Sequence, residues 1–246
     1  MIALLAGLTV LASTSDIEYV LSYLGDGIFE VREIVPGGMC PGHFDLSPRD
    51  AYLLTDGDIL ISHGWEGWLK KVEKLESHPE IYRVKTKGNW MLPSVMKQAC
   101  DELYILLRQR ISDSVKVKKL EQNRNSLIEL IDSLDMEIKH LSSSLKGIRV
   151  VCNEFVMDQL EYLGMDVVKT FPSGSDVTPE NIKEVLKTRD VKIIVENLQS
   201  VGKTGEVISR EMQIPLVVIS NFPLNRDYQG TMIGNVKKLL EIFSND

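Results

Sequence analysis

The chain has few cysteines, no long apolar run and no excess of positive charge. Its three cysteines, Cys40, Cys100 and Cys152, are too few and too scattered to form a disulfide framework. A net charge of −7 argues against a nucleic-acid-binding surface. No apolar stretch is long enough to cross a bilayer. These absences leave a globular protein, whose 246 residues suffice for one large domain or two small ones.

Recognisable catalytic motifs are also missing. The sequence contains no phosphate-binding loop, no Ser/His/Asp set and no pair of catalytic carboxylates in matching loops. Gly202-Lys203-Thr204 looks like the end of a phosphate-binding loop, but the earlier glycine of that motif is absent. We therefore expect a binding protein rather than an enzyme.

The first residues, from Ile2 to Ala12, are apolar. They lack a basic leader and are too few for an export signal, so Leu8 to Ala12 is interpreted as the first buried strand. An export signal, if the protein has one, is then not complete in this chain.

A single long helix is predicted over residues 111–147. Ser112 to Ser114 offer caps at its start, and Gly147 stands where a helix would stop. Apolar residues recur at helical spacing at Leu120, Leu127, Ile131, Leu134, Ile138, Leu141 and Leu145. A helix hairpin broken near Ser126 and a coiled-coil dimer arm are the alternatives. Only one long pattern is present and its stripe is short for a coiled coil, which favours one continuous strut.

Strand and helix patterns alternate on both sides of this helix, which predicts an α/β fold with parallel sheets. The predicted organisation is an N-terminal α/β lobe (1–110), a linking helix (111–147) and a C-terminal α/β lobe (148–246). Capping boxes are predicted at Ser15 with Glu18, and at Ser47 with Asp50. Ligands of such sheets collect beyond the carboxyl ends of the strands.

Cys40 and His43 are the sharpest chemical pair, in a loop rich in proline and glycine. A thiolate and an imidazole three residues apart can bind one soft or borderline metal ion. Alternatively, Cys40 is a small buried apolar residue and His43 caps backbone groups. Glu154 is the best oxygen donor in the second half, although a carboxylate is also favoured there by a helix dipole.

Further polar and aromatic residues follow predicted strand ends. His63 either coordinates a ligand, recognises an anion or is a hydrogen-bonded edge histidine. The residues that we consider as a possible lining of a ligand cleft are His63, Trp65, Asn89, Trp90, Asn153 and Ser220. The tryptophans are equally compatible with packing.

Taken in order, several motifs resemble the substrate-binding proteins of zinc and manganese ABC transporters. They are Val35-Pro36-Gly37, His43 to Asp50, Asp58 to Ile61, Glu66 to Leu69, Trp90 with Pro93, Tyr162-Leu163-Gly164, Thr178-Pro179-Glu180 and Val195-Glu196. The resemblance covers nearly the whole chain. It implies two α/β lobes with parallel sheets joined by one long backbone helix, with a metal ion held between them. It also implies an extracytoplasmic location, periplasmic or membrane-anchored, and delivery to an ABC transporter permease in the membrane.

The family usually supplies four metal ligands from four loops. The resemblance places the first at His43 and the second at Gly88, where neither Gly88 nor the adjacent Asn89 is a good ligand. The third falls near Asn153, with Glu154 one residue on. The fourth falls at Ser220 or Asn221.

The resemblance therefore implies an altered ligand set for a transition metal ion of the zinc or manganese class. That set is His43, Cys40, Glu154 and Asn221. Two other interpretations stay open: a chelated metal or small organic ligand in the cleft, or a family member whose site no longer binds metal. We expect a monomer in each case.

Overall fold

The structure is a computed structural model that describes residues 8–200 and 202–244. The chain divides into two units. Unit 1 contains the described residues up to Asp132 together with Leu224–Arg226, and unit 2 contains Ser133–Pro223 and the described residues from Asp227 onward. The predicted division into 1–110, 111–147 and 148–246 treats the linking helix as a third part and stays a prediction.

Unit 1 alternates strands and helices along the chain. Its elements are β1 (Thr9–Thr14), α1 (Ser15–Gly25), β2 (Glu30–Val35), α2 (Pro48–Asp56), β3 (Ile59–Ser62), α3 (Leu69–Val72), β4 (Glu80–Arg83) and α4 (Pro93–Arg108). The strands form a four-stranded sheet in the order β2-β1-β3-β4, and every pair is parallel. This arrangement confirms the predicted parallel α/β sheet. Parallel strands need crossover connections, and the segments that contain α1, α2 and α3 provide them here.

The two central strands of unit 1 are buried on both faces, as in other parallel sheets that are covered by helices. Leu11 of β1 and Leu60 of β3 pack in one apolar cluster with Leu54 and Trp68. Because Ala12 is paired with Ile61, the two strands end side by side. The segment that follows β1 therefore lies next to the loop that follows β3.

The long helix is present and unbroken. It begins as α5 (Ser114–Leu141) and continues as a 3₁₀ turn over Ser142–Leu145. Asp113 caps it by accepting hydrogen bonds from the backbone N–H groups of Val115 (2.8 Å) and Lys116 (3.2 Å). Six of the seven residues in the predicted apolar stripe are buried: Leu120, Leu127, Ile131, Leu134, Ile138 and Leu145. The prediction of one long helix is confirmed, and the hairpin broken near Ser126 is excluded.

Unit 2 repeats the architecture of unit 1 with different lengths. Its elements are β5 (Arg149–Asn153), a 3₁₀ turn (Glu154–Val156), α6 (Met157–Tyr162), β6 (Asp166–Phe171), a 3₁₀ turn (Gly174–Asp176), α7 (Pro179–Leu186), β7 (Ile193–Asn197), α8 (Thr204–Met212), β8 (Leu216–Ile219) and α9 (Tyr228–Glu241). The sheet order is β6-β5-β7-β8, again all parallel. Val151, Phe171, Ile194 and Ile208 share one apolar cluster of this unit.

The capping predictions divide into one confirmed and one wrong. Ser47 accepts from the backbone N–H of Asp50, whose carboxylate accepts from the N–H of Ser47, with Pro48 in the first turn. The box predicted at Ser15 with Glu18 is wrong, because α1 begins after Thr14 without a side-chain cap. Glu18 is instead fully buried, where it accepts a hydrogen bond from Ser22 Oγ at 2.6 Å.

A short segment from late in the chain, Leu224–Arg226, belongs to unit 1. Arg226 Nε lies 3.3 Å from Glu18 Oε1 and so supplies the counter-charge of this buried carboxylate. Asn225 and Arg226 both have left-handed backbone angles, with φ of 52° and 60°, which non-glycine residues adopt only at a cost. The segment lines a cavity of about 340 Å³ with Glu33 and Gly37.

Among the described residues, no helix combines the length and the apolar character that a membrane span needs.

Candidate functional site

The loop between β2 and α2 brings Cys40 and His43 together. Cys40 Sγ lies 3.2 Å from His43 Nδ1, and the backbone N–H of His43 donates to the Cys40 carbonyl at 3.2 Å to close the turn. Cys40 is a free cysteine and is half-buried, whereas His43 is exposed. The pair that the sequence singled out is therefore close enough for both side chains to bind one metal ion.

A second polar cluster lies at the adjoining ends of β1 and β3. His63 Nε2 lies 3.1 and 3.3 Å from the two carboxylate oxygens of Asp16. Asp16 also accepts hydrogen bonds from Thr14 Oγ1 and, at 2.9 Å, from the backbone N–H of Ile17. The side chains of His63 and Asp16 are only 9% and 6% exposed. This is a nearly buried ion pair at the edge of the sheet where parallel α/β proteins bind ligands.

Asp16 and His63 each shift the pKa of the other toward the charged form. Burial lowers the pKa of His63, but the charge of Asp16 and its hydrogen bond outweigh burial and raise the pKa above its ordinary value. The pKa of Asp16 lies below its usual value, because the charge of His63 and the hydrogen bonds outweigh desolvation, which would raise it. Each group therefore favours the charged form of the other.

Glu66 fixes the backbone that carries His63. Its buried carboxylate accepts from Ser13 Oγ and Ser62 Oγ (2.9 Å) and from the backbone N–H groups of His63 (2.9 Å) and Gly64 (2.8 Å). These bonds tie the end of β1 to the loop after β3. Four donors for one carboxylate make this a rigid framework rather than a ligand site.

The aromatic residues near His63 have different environments. Trp90 is 3% exposed and meets the His63 ring edge-on, with the ring centroids 4.9 Å apart. Trp65 is 54% exposed and stacks on the same ring at 5.5 Å. Asn89 accepts from the backbone N–H of Met91 at 2.9 Å, which is a local turn contact. Trp90 is therefore mainly packing, whereas Trp65 presents an open face.

In unit 2 the polar residues at the strand ends bind one another. Asn153 is buried, and its Nδ2 donates to Ser173 Oγ at 2.6 Å. Ser220 is also buried, and its Oγ donates to the carbonyl of Phe222 at 2.6 Å. Asn221 Oδ1 accepts from Gln159 Nε2 at 2.8 Å. Glu154, at the start of the 3₁₀ turn after β5, is exposed.

The described residues bring together no group of three or more His, Cys, Asp or Glu side chains that could hold a metal ion. The four-residue set His43, Cys40, Glu154 and Asn221 therefore stays a prediction, with only its first two members in contact. Sequence reasoning missed Asp16 and Glu66. Their signal was available in the acidic residues that stand two positions after β1 and four positions after β3.

The comparisons agree on one class of protein. The fold is similar to the crystal structure of ZnuA (TM-score 0.79, 15% identity, 96% of this chain and 98% of that chain). It is equally similar to the solute-binding protein FpvC from Pseudomonas aeruginosa in complex with Mn²⁺ (0.79, 15%, 97% and 99%). A third similar structure is the Mn-bound periplasmic metal-binding protein from Candidatus Liberibacter asiaticus (0.78, 16%, 95% and 98%). No curated protein matches the chain.

This fold, two parallel four-stranded sheets with one long helix, is that of the metal-binding solute-binding proteins of ABC transporters. The family model described as zinc-uptake complex component A, periplasmic, matches residues 10–242, and the chain belongs to that family. The predicted fold and the predicted role as a metal-binding component of an ABC transporter are thereby confirmed. The family is periplasmic and consists of transport binding proteins.

Proposed function

We propose that this chain captures a transition metal ion outside the cytoplasm, with Cys40 and His43 as its first ligands, and delivers it to a membrane permease without catalysing a reaction. The single observation that carries the ligand assignment is the 3.2 Å separation of Cys40 Sγ and His43 Nδ1. The donors stand three residues apart on one short turn, so that one ion can bind both without reorganisation of the chain.

The donor types indicate the preferred ion. A thiolate with an imidazole suits zinc and other borderline or soft ions, whereas manganese prefers oxygen ligands. Glu154, which is exposed, is the oxygen donor that we propose for unit 2. Asn221 is a weaker candidate, because its side-chain oxygen already accepts a hydrogen bond from Gln159. We therefore expect zinc to bind more tightly than manganese.

Calorimetric titration of the metal-stripped protein with Zn²⁺ and Mn²⁺ tests this proposal. Cys40→Ser and His43→Ala are each expected to lower zinc affinity by about tenfold or more, which is the range for loss of one contributor to a metal site. His140→Ala removes an exposed histidine of α5 and is the matched control, with unchanged affinity. Because thiolate and neutral imidazole are the binding forms, zinc affinity should also fall as the pH is lowered.

Two outcomes would contradict different parts of the proposal. Wild-type zinc affinity in both Cys40→Ser and His43→Ala would remove the ligand assignment but leave metal capture intact. A wild-type protein that binds none of Zn²⁺, Mn²⁺ and Ni²⁺ would remove metal capture itself. Sedimentation of the metal-loaded protein tests the proposed monomer.

A chelated metal is the second candidate cargo, and it is favoured by one observation. The exposed ring of Trp65, stacked on His63, offers a flat surface that a bare ion does not need. A thermal-shift comparison of free ions with their citrate or histidine chelates separates the two. Stabilisation by the chelates alone would replace the free ion as cargo.

A further inference from the structure

The segment Leu224–Arg226, which we call the strap, belongs to unit 1 and is tied to it by one ion pair. Arg226 Nε lies 3.3 Å from Glu18 Oε1, and the side chain of Glu18 has no exposed surface, whereas that of Arg226 is 60% exposed. A buried carboxylate that loses its counter-charge is strongly disfavoured. The strap is therefore held by a contact that is costly to break but that solvent reaches from one side.

The backbone of the strap carries strain that this ion pair can offset. Asn225 and Arg226 have φ of 52° and 60°. Two successive left-handed residues are the φ pattern of the central pair of a type I′ turn, where asparagine followed by glycine is preferred. Arginine stands in the place of that glycine and pays a conformational cost that glycine would avoid. Its side chain is thus more valuable here than an easy turn.

The strap shares a cavity with the base of the loop that carries Cys40 and His43. The cavity has a volume of about 340 Å³, and the residues of unit 1 that line it are Glu33, Pro36, Gly37, Gly38, Leu224, Asn225 and Arg226. The loop turns at this point, because the backbone N–H of Met39 donates to the carbonyl of Pro36 at 2.9 Å. Cys40 follows directly. A change in the position of the strap therefore alters the surroundings of the turn that leads into the Cys40–His43 pair.

Glu33 is the titratable group of this cavity. Its Oε1 is buried without a hydrogen-bond partner among the described residues. Glu18 and Asp16 of α1 act on it as negative charges and Arg226 of the strap as a positive one, while its partner in β1, Ala12, carries no charge. Burial and the charge of Glu18 outweigh Arg226 and raise the pKa of Glu33 to about 7.

Displacement of the strap would change two of these effects. Water would reach the Glu33 carboxylate, and Arg226 would move away from it. Burial affects the pKa of Glu33 more than Arg226 does, so the pKa would fall toward its ordinary value of 4.5. A group whose pKa is higher with the strap in place favours that state when it is protonated. The strap is then held most firmly at acid pH, and this preference is lost as the pH rises from about 4.5 to about 7.

We propose that the strap is a proton-sensitive latch on the loop that carries Cys40 and His43. The ion pair between Arg226 and Glu18 locks the latch, and ionisation of Glu33 loosens it. The latch itself does not depend on the proposed function. Its effect on metal affinity does rest on the proposed function, because a loosened loop holds the thiol and the imidazole less firmly for an ion.

Arg226→Gly distinguishes a latch from an ordinary turn, because the two predict opposite results. Glycine relieves the left-handed backbone, so an ordinary turn would become tighter. In a latch, loss of the guanidinium frees the strap, and we expect the backbone N–H of Met39 to exchange about tenfold faster, measured by NMR of the metal-free protein. Arg226→Lys keeps the charge and should restore much of the protection. Unchanged or slower exchange at Met39 in Arg226→Gly would overturn the proposal.

A double variant guards against a loss of folding, since Arg226→Gly alone leaves the buried carboxylate of Glu18 unpaired. Glu18→Gln combined with Arg226→Gly removes both charges. The latch predicts fast exchange at Met39 in this variant too, because the lock is still missing. Wild-type protection at Met39 would show that the unpaired charge alone disturbs the loop, and it would overturn the role of the lock.

Glu33→Gln tests the proton dependence in protein that keeps the lock. The variant imitates protonated Glu33, so the N–H of Met39 should exchange at the wild-type rate at about pH 5 and about threefold or more slowly than in wild type at about pH 8. Comparison at the same pH cancels the intrinsic pH dependence of exchange. Glu76→Gln, at an exposed position, is the matched control with wild-type rates at both values. Equal rates in Glu33→Gln and wild type at the higher pH would overturn the proton sensitivity.

Zinc titration at the higher pH separates the latch from the proposed function. We expect Arg226→Gly to bind Zn²⁺ more weakly than wild type by about threefold or more, and Glu33→Gln to bind it more tightly. Faster exchange at Met39 with unchanged zinc affinity would remove the link between the latch and the metal site. A wild-type protein without affinity for zinc would remove metal capture and leave the latch standing, because the exchange rates are measured without metal.

Discussion

The two units carry different chemistry at equivalent positions of the same kind of sheet. In unit 1 the carboxyl ends of the strands hold imidazole, thiol and carboxylate groups, from Asp16, Cys40, His43, His63 and Glu66. In unit 2 they hold amides and hydroxyls, from Asn153, Gln159, Asn197, Gln199, Ser220 and Asn221. The unit 1 edge thus carries imidazole and thiol groups, whereas at the unit 2 edge the amides and hydroxyls lie beside the buried carboxylate of Glu196, which accepts from the backbone N–H groups of Asn197 and Gly205 at 2.9 Å each.

The polar side chains at the two sheet edges also differ in whether they hydrogen-bond to one another. Asn235 Nδ2 donates to Gln159 Oε1 at 3.2 Å, and Gln159 Nε2 donates onward to Asn221 Oδ1 at 2.8 Å, so that these amides satisfy one another. In unit 1, by contrast, Cys40 and His43 contact each other near solvent and His63 Nδ1 has no partner among the described residues. The amides at this position of unit 2 therefore serve architecture, whereas Cys40 and His43 at the corresponding edge of unit 1 stay available for ligands.

The largest effect on stability is expected when the buried carboxylate of Glu66 in unit 1 is removed. Glu66→Ala removes the acceptor of four donors around a buried site; the N–H of Gly64 still donates to Ser62 Oγ, whereas Ser62 Oγ and the N–H of His63 lose the acceptor that they have among the described residues. We expect a loss of about 4 kcal/mol in the free energy of unfolding, measured by urea denaturation. Glu76→Ala, at an exposed position, is the control and should change stability by less than about 0.5 kcal/mol. A loss below about 1 kcal/mol would show that Glu66 is not the anchor of this edge.

A smaller effect is expected from the neutral network of unit 2. Asn235→Ala leaves the backbone N–H of Ser220, which donates to Asn235 Oδ1 at 3.0 Å, without an acceptor. We expect a loss of about 2 kcal/mol by the same method, with zinc affinity changed less than about threefold. Asn125→Ala, at an exposed position of α5, should change neither quantity. A large fall in zinc affinity would break the comparison, because it would give the amide network a part in binding.

The smallest effect is expected from Glu33, a partly buried carboxylate of unit 1. Burial and the charge of Glu18 raise the pKa of Glu33 to about 7, against the opposing effect of Arg226, and Asp16 adds to the rise. Glu33 Oε1 is buried without a hydrogen-bond partner. A folded-state pKa above the unfolded value means that ionised Glu33 destabilises the fold. This penalty is absent at acid pH, grows between about 4.5 and 7, and is complete above that range.

Glu33→Gln should remove the penalty. We expect the variant to be more stable than wild type by about 1 kcal/mol at about pH 8 and nearly unchanged at about pH 5, by urea denaturation at both values. Glu76→Gln is the control at an exposed position and should show no difference between the two pH values. A variant that is destabilised at both would show that the Glu33 carboxylate has a favourable partner in the folded protein.

Much of the fold was predictable because local patterns decide it. The first strand, predicted at Leu8 to Ala12, lies within two residues of β1, since a short apolar run that ends at turn signals is typical of a buried strand. The helix α8 was not predicted, because it begins at Thr204 without a side-chain cap and was examined only as a possible phosphate loop. The supposed box at Ser15 failed because a contact within α1, from Ser22, and a tertiary contact, from Arg226, engage the carboxylate of Glu18.

The candidate site was predictable only where its residues are close in sequence. Cys40 and His43 stand on one turn, so that spacing alone brought out their pairing. Asp16 and His63 are 47 positions apart, and only the parallel pairing of β1 with β3 brings them together. Spacing along a chain carries no information about which strands become neighbours, and the Asp16–His63 pair therefore could not be found without the sheet order.

The return of Leu224–Arg226 to unit 1 determines how this protein can be dissected in the laboratory. A fragment that stops at Asp132 would keep the fully buried Glu18 but lose the guanidinium that neutralises it. The complementary piece would carry Arg226 without its carboxylate. No single cut in the gene can therefore yield two complete halves, and the ligand chemistry of either unit is best studied in the intact polypeptide.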